Sequence, residues 1–301
     1  MKQLVILSGK GGTGKTTVTA ALAHLATQDC RVVMADADVD AANLGLVLAP
    51  VTEETRDFTG GRIAGIDPAV CIACGRCAEV CRFDAVRVCT HPGDAYAVDP
   101  IACEGCAACF YECPVQAITM TPQRAGQWFV ATTRYGPLYH AHLFAGQENS
   151  GKLVTLVKQM ARLRALDDAA DLLLVDGPPG IGCPVIAALS GADMALIVTE
   201  PTVSGAHDLE RALGLAAHFN IPAMVLLNKA DLSPVQAEAI VAYCATQSIP
   251  LVGRLPYDPT VTDAMVRGEP VTATAGPVAN ALRETWSMLQ ATLFVVKPSE
   301  K

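Results

Sequence analysis

The stretch Gly9-Lys10-Gly11-Gly12-Thr13-Gly14-Lys15-Thr16-Thr17 follows the apolar run Leu4-Val5-Ile6-Leu7 and leads into a helix-forming segment. It matches G-x4-G-K-[ST], and in that setting the pattern specifies a parallel β-strand, a glycine-rich loop and a helix. The loop amides and the helix N-terminus together form a cradle for phosphate groups. Lys15 reaches the β- and γ-phosphates and Thr16 ligates Mg²⁺. Gly9, Lys10, Gly11, Gly12, Thr13, Gly14 and Thr17 complete the cradle. A chance glycine-rich turn is the bland alternative, and the flanking strand and helix argue against it.

Short runs of nearly continuous Val, Ile and Leu recur at 3–7, 31–35, 171–175, 194–199, 223–227 and 251–255. Such runs mark parallel strands covered on both faces. Helical stretches lie between them at 15–28, 152–166, 205–219, 234–247 and 277–293. The alternation predicts an α/β fold, a doubly wound and mostly parallel sheet. Residues 62–122 break the rhythm and read as a small inserted α+β domain. The larger domain then comprises 1–61 and 123–301, with junctions at Thr59-Gly60-Gly61 and Thr121-Pro122.

Nine of the 12 cysteines fall between Cys71 and Cys113. The N-terminus lacks a signal-peptide pattern, and the uncharged stretch 177–192 is too short to span a bilayer. A cytoplasmic location without stable membrane insertion is expected, and there crowded cysteines point to metal rather than disulfides. The net charge of −8 argues against a nucleic-acid partner.

The insert repeats itself at an offset of 32 residues, with Asp67-Pro68-Ala69-Val70-Cys71 matching Asp99-Pro100-Ile101-Ala102-Cys103. Cys74, Cys77 and Cys81 map onto Cys106, Cys109 and Cys113. Each copy reads C-x2-C-x2-C-x3-C, in which three thiolates wrap one cubane and the fourth, opening a helix, serves the other repeat's cluster. The expected sets are therefore crossed: Cys71, Cys74, Cys77 and Cys113 for one [4Fe–4S] cluster, Cys103, Cys106, Cys109 and Cys81 for the second. The segment resembles bacterial two-cluster ferredoxins, departing from them at Arg82, where proline is usual. Zinc is the alternative, but it does not explain triplets plus a fourth cysteine in two copies. Cys30, Cys89 and Cys244 read as bystanders.

Lys10, a second lysine just after the first glycine, resembles the deviant Walker A signature of the MinD/ParA/Mrp group of P-loop ATPases. That resemblance implies an ATP-dependent homodimer in which Lys10 crosses to the partner's nucleotide. It also implies that ATP and water give ADP and phosphate, slowly and under partner stimulation. Asp36-Ala37-Asp38-Val39-Asp40 is similar to the group's first switch, with Asp38 orienting the attacking water and Asp36 near Mg²⁺. Asp176-Gly177-Pro178-Pro179-Gly180 is similar to the second, with Asp176 holding a Mg²⁺ water and Gly180 sensing the γ-phosphate. Lys10, Lys15, Asp38 and Asp176 are thus the expected catalytic residues.

Asn228-Lys229-Ala230-Asp231 faces the base on the same resemblance, with Pro256 closing over it. N-K-x-D also reads guanine in GTPases, so GTP stays open behind ATP. Cys183 reads as a structural thiol, with transient metal ligation as its sharper alternative. His140 and His142 fall on one face of an extended segment and read as structural. Val278, Leu282, Trp286, Leu289 and Leu293 predict a final helix docked on the core. A redox or metal-cluster protein is the expected partner. A positioning or cell-division ATPase with structural clusters, or a cluster carrier, is the competing expectation.

Overall fold

A computed structural model of the chain describes residues 1–89, 95–147 and 149–294. The N-terminal part gives β1 (Lys2–Ser8), α1 (Lys15–Ala26), β2 (Val32–Asp36), α2 (Leu44–Leu48) and the long β3 (Val51–Ile66). The cysteine-rich stretch holds short α3 (Arg76–Glu79), β4 (Val86–Val88), β5 (Tyr96–Val98) and α4 (Ala108–Glu112). Then follow β6 (Ile118–Thr133), β7 (Gly136–Leu143), α5 (Ser150–Asp167), β8 (Leu172–Pro179) and α6 (Cys183–Leu189). The C-terminal part alternates strand and helix as far as α9 and then adds a last helix: β9 (Met194–Thr199), α7 (Val203–His218), β10 (Ala223–Leu227), α8 (Pro234–Thr246), β11 (Leu251–Arg254), α9 (Thr260–Val266) and α10 (Pro277–Leu293).

The main sheet has the order β11-β10-β9-β1-β8-β2-β7-β6-β3. From β11 to β7 every pairing is parallel. Alternate side chains serve opposite faces: Leu196, Val198 and Leu226 join α1 and α10 in one core, whereas Ile197, Val225 and Leu227 join α7 and α8 in another. Burial of each such side chain contributes about 1.5–3 kcal/mol. The docked final helix is as expected, with Val278, Leu282, Trp286, Leu289 and Leu293 all buried. Among the described residues no helix is long and apolar enough to cross a membrane.

The chain divides into two compact units. One comprises Met1–Arg56, Trp128–His142 and the chain from Ser150 on; the other comprises Asp57–Gln127 and Leu143–Asn149. The expected junctions fall inside strands instead of linkers, Thr59-Gly60-Gly61 within β3 and Thr121-Pro122 within β6. Glycine and proline there are accommodated in extended backbone, so the units change over at 56/57 and 127/128. His140 and His142 do lie on β7, and the His140 ring stacks on Phe129 at 4.7 Å between centroids.

Lys158 on α5 is buried and donates to the carbonyls of Ala187, Ala188 and Ser190 at 2.7, 2.9 and 2.5 Å. It thereby caps the C-terminal end of α6. Burial, reinforced by Arg162, pushes its pKa down to about 8. Lys158→Ala strands these carbonyls and is expected to cost about 2–4 kcal/mol, read as a lower denaturant midpoint at unchanged slope. A loss below about 0.5 kcal/mol would contradict this bridge.

Candidate functional site

The C-terminal edge of the parallel strands gathers the nucleotide-site residues. Asp36, the last residue of β2, stands in register opposite Asp176, three residues before the end of β8, and Ile6 of β1 pairs with Asp176 on its other side. The loop after β1 packs on α7 so closely that a Cβ on Gly9 would overlap Asp208. Gly14 has φ +96°, and a Cβ there would run into the Asn228 amide, which donates to the Thr13 carbonyl at 2.8 Å. Only glycine satisfies both the left-handed backbone and that approach.

Asp176 is fully buried and accepts from Thr16 Oγ1 at 2.7 Å and Thr19 Oγ1 at 2.9 Å. Lys15 Nζ lies 3.5 Å from Asp38 Oδ2. The expected Mg²⁺ and phosphate groups, Thr16, Asp176 and Lys15, are thus brought together with Asp38. Burial raises the Asp36 carboxyl well above the usual carboxylate range, with the Asp176 charge adding to the rise, and burial also raises Asp176, against the pull of Lys15 and the hydroxyls of Thr16 and Thr19. Burial also raises Asp38, against the opposing pull of Lys15. Asp36 spends both oxygens on backbone amides, Asp38 N at 3.1 Å and Leu44 N at 3.0 Å. It thereby anchors the backbone that follows β2.

A cavity of about 800 Å³ opens over this edge, lined by Lys15, Thr16, Asp38, Asn228, Pro256 and Tyr257 among others. Its volume suits a nucleotide-sized ligand. Three expected contacts have other partners in this chain. The Gly180 amide donates to the Ser8 carbonyl at 2.9 Å, so a γ-phosphate must displace that bond to be sensed. Asp231 Oδ1 accepts from the Tyr257 amide at 2.6 Å, which ties down the segment carrying Pro256. Lys10 Nζ is 2.6 Å from Glu200 Oε1 within its own chain. Glu200 follows β9 and has no motif around it to draw attention to it in the sequence.

The second unit repeats its structure as it repeats its sequence. Positive φ values recur at the 32-residue offset: Ala73 and Gly105 at 55° and 65°, Gly75 and Ala107 at 77° and 63°, Asp84 and Gln116 at 50° and 54°. Asp67 and Asp99 each accept from the amide two residues on, at 2.9 Å. In both copies the second cysteine is exposed and the third is buried. Two hollows result. Cys71, Cys74, Cys77 and Cys113 line one, and Cys81, Cys103, Cys106 and Cys109 line the other. One detail differs from expectation: the third cysteine sits within the short helix, and the fourth follows its end instead of opening it. Ending the helix there turns Cys81 and Cys113 towards the other copy. Among the described residues, no three His, Cys, Asp or Glu side chains converge closely enough to hold a single metal ion. Burial raises the Cys77 and Cys109 thiols above their ordinary range. Cys183 is exposed at the first position of α6, Cys244 is buried, and Cys89 is exposed.

Residues 4–271 match the CobQ/CobB/MinD/ParA nucleotide binding domain family. The chain belongs to that family. Among curated relatives, the uncharacterized protein MJ0578 of Methanocaldococcus jannaschii is 34% identical over 77% of this chain and 80% of its own length. The septum site-determining protein MinD of Synechocystis is 26% identical over 89% of this chain and 80% of its own. The cytosolic Fe-S cluster assembly factor Nubp1 homolog of Drosophila willistoni is 24% identical over 93% and 78%. In fold, the chain resembles the MinD of Pyrococcus horikoshii solved with Mg-ADP, at 18% identity, 98% coverage of both chains and a TM-score of 0.59. The family accounts for the main sheet, the glycine-rich loop and the cavity above it.

Proposed function

We propose that this chain is an ATP-hydrolysing, Mg²⁺-dependent homodimeric switch whose second unit, a ferredoxin-like insert, holds two [4Fe–4S] clusters. Its nucleotide state governs electron transfer, or metal-cluster handling, with a protein partner. The observation that carries this is the pair of hollows, each lined by four cysteines drawn crosswise from two repeats. The left-handed residues between the cysteines support the same reading, because alternating backbone handedness makes amide nests suited to anionic clusters. Each bound cluster would supply one-electron transfer. Lys15, Thr16 and Asp176 bind and orient the phosphates and Mg²⁺, and Asp38 stands where an attacking water is held.

ATP rather than GTP is supported by Asp231. A guanine reader needs its carboxylate free for two N–H groups, and here one oxygen is committed to Tyr257. The decisive experiment measures cluster potentials and electron-transfer rates anaerobically, with partner present, with and without a non-hydrolysable ATP analogue. A nucleotide-dependent change in either is the expected result. Potentials and rates that ignore nucleotide would favour a second reading, a positioning ATPase with structural clusters, which the MinD-named relative supports. Iron passing to an apo-acceptor would favour a carrier, in keeping with the likeness to the Fe-S assembly factor.

A further inference from the structure

Glu200 is the first residue after β9, on the same edge as the glycine-rich loop, and its carboxylate is only 15% exposed. Its two oxygens hold two different lysines: Lys10 at 2.6 Å on Oε1 and Lys229 at 3.2 Å on Oε2. Both lysines also touch the nucleotide machinery or its neighbour. Lys229 Nζ donates to the Gly12 carbonyl at 3.2 Å, inside the phosphate loop. Lys10 Nζ donates to Ser204 Oγ at 3.1 Å and Thr202 Oγ1 at 3.4 Å, at the start of α7. Thr202 Oγ1 in turn caps α7 by accepting from Gly205 N at 2.9 Å. One side chain therefore joins the base-facing lysine, the phosphate loop and the lysine expected to act across a dimer.

We infer that Glu200 is a positioning residue that restrains Lys10 within its own chain and so sets the ATP concentration at which two chains associate. The inference rests on the homodimeric reading above and adds to it the group that opposes association. A partly buried, charge-assisted pair is strong enough to hold a long flexible side chain in one place. The bridge also makes the restraint reversible. When Lys10 leaves for a phosphate, Glu200 keeps Lys229 as counter-ion, so no buried carboxylate is stranded.

The test pairs two readouts on the full chain. Acylation of Lys10 by an amine-reactive ester, followed by peptide mass spectrometry and referenced to Lys2, reports whether Lys10 is held, independently of any dimer. Sedimentation against ATP concentration, with a non-hydrolysable analogue, reports association. Glu200→Gln is expected to speed Lys10 acylation at least about threefold without nucleotide and to lower the ATP midpoint for association about tenfold. Lys229→Met, which leaves Lys10 as the sole counter-ion, is expected to slow Lys10 acylation. Unchanged acylation in Glu200→Gln overturns the inference. So does a Glu200→Gln effect on association that survives in a Lys10→Ala background, because Glu200 would then not act through Lys10. If the unaltered chain stays single at saturating ATP, the homodimeric reading falls, and acylation alone decides the role of Glu200.

Discussion

Cys113→Ala is expected to remove the cluster of the first repeat while sparing that of the second. Cys113 belongs to the second repeat by sequence, yet it lines the hollow shared with Cys71, Cys74 and Cys77. Iron and sulfide in the anaerobically reconstituted chain are expected to fall from about eight of each to about four. The surviving spectrum should belong to the set Cys103, Cys106, Cys109 and Cys81. Folding should tolerate the change, because the Cys113 sulfur makes one backbone contact, accepting from Ala117 N at 3.2 Å, worth about 1 kcal/mol. Cys81→Ala is the mirror experiment and should spare the opposite cluster. Loss of the cluster held by Cys103, Cys106 and Cys109 in Cys113→Ala would mean that the sets are not crossed. Zinc in place of iron after reconstitution would overturn the cluster assignment itself.

Asp176→Asn is expected to lower ATP hydrolysis by about 10²–10³-fold, equivalent to about 3–4 kcal/mol of transition-state stabilisation. Its carboxylate holds Thr16, the proposed Mg²⁺ ligand, from within a central strand. The substitution keeps the shape and leaves acceptor and donor atoms for Thr16 and Thr19. Stability should hold or rise, because a buried charge opposite Asp36 is removed and burial already disfavours that charge. The informative result is therefore a split: turnover collapses and its Mg²⁺ dependence weakens, while the thermal midpoint does not drop. Turnover within tenfold of the unaltered chain would exclude Asp176 from the metal site. A parallel loss of stability would make the effect one of folding.

The central strands were legible because they are buried on both faces. Leu4 to Leu7, Leu172 to Val175 and Met194 to Val198 are uninterrupted apolar runs, and each is fully or almost fully buried. β3 was not legible. Its first seven residues, Val51 to Asp57, are exposed and include Glu53, Glu54, Arg56 and Asp57, so nothing in their hydropathy marks a strand. β6 is similar near its start, where Thr121 and Pro122 read as a junction. Those strands owe their form to sheet neighbours remote in sequence, which local pattern does not encode. The nucleotide site divides in the same way. Lys15 and Thr16 lie in one contiguous motif, Asp38 comes two residues after the end of β2, and Asp176 directly follows the apolar run of β8. Glu200 gains its meaning only from Lys10, 190 positions earlier, and from Lys229, 29 positions later. The grouping of eight cysteines around two hollows was legible because a repeat at fixed offset supplies its own internal comparison.

The split of the second unit into Asp57–Gln127 and Leu143–Asn149 bears on how such a chain can be assembled or taken apart. The polypeptide passes between the units four times, at 56/57, 127/128, 142/143 and 149/150. A module grafted at one point needs only two passages and can be cut out and resealed. This one cannot: deleting 57–127 leaves behind a fragment, 143–149, that lost its company, and a single protease nick releases neither part. The second unit is therefore tied into the chain at two segments rather than carried at one point.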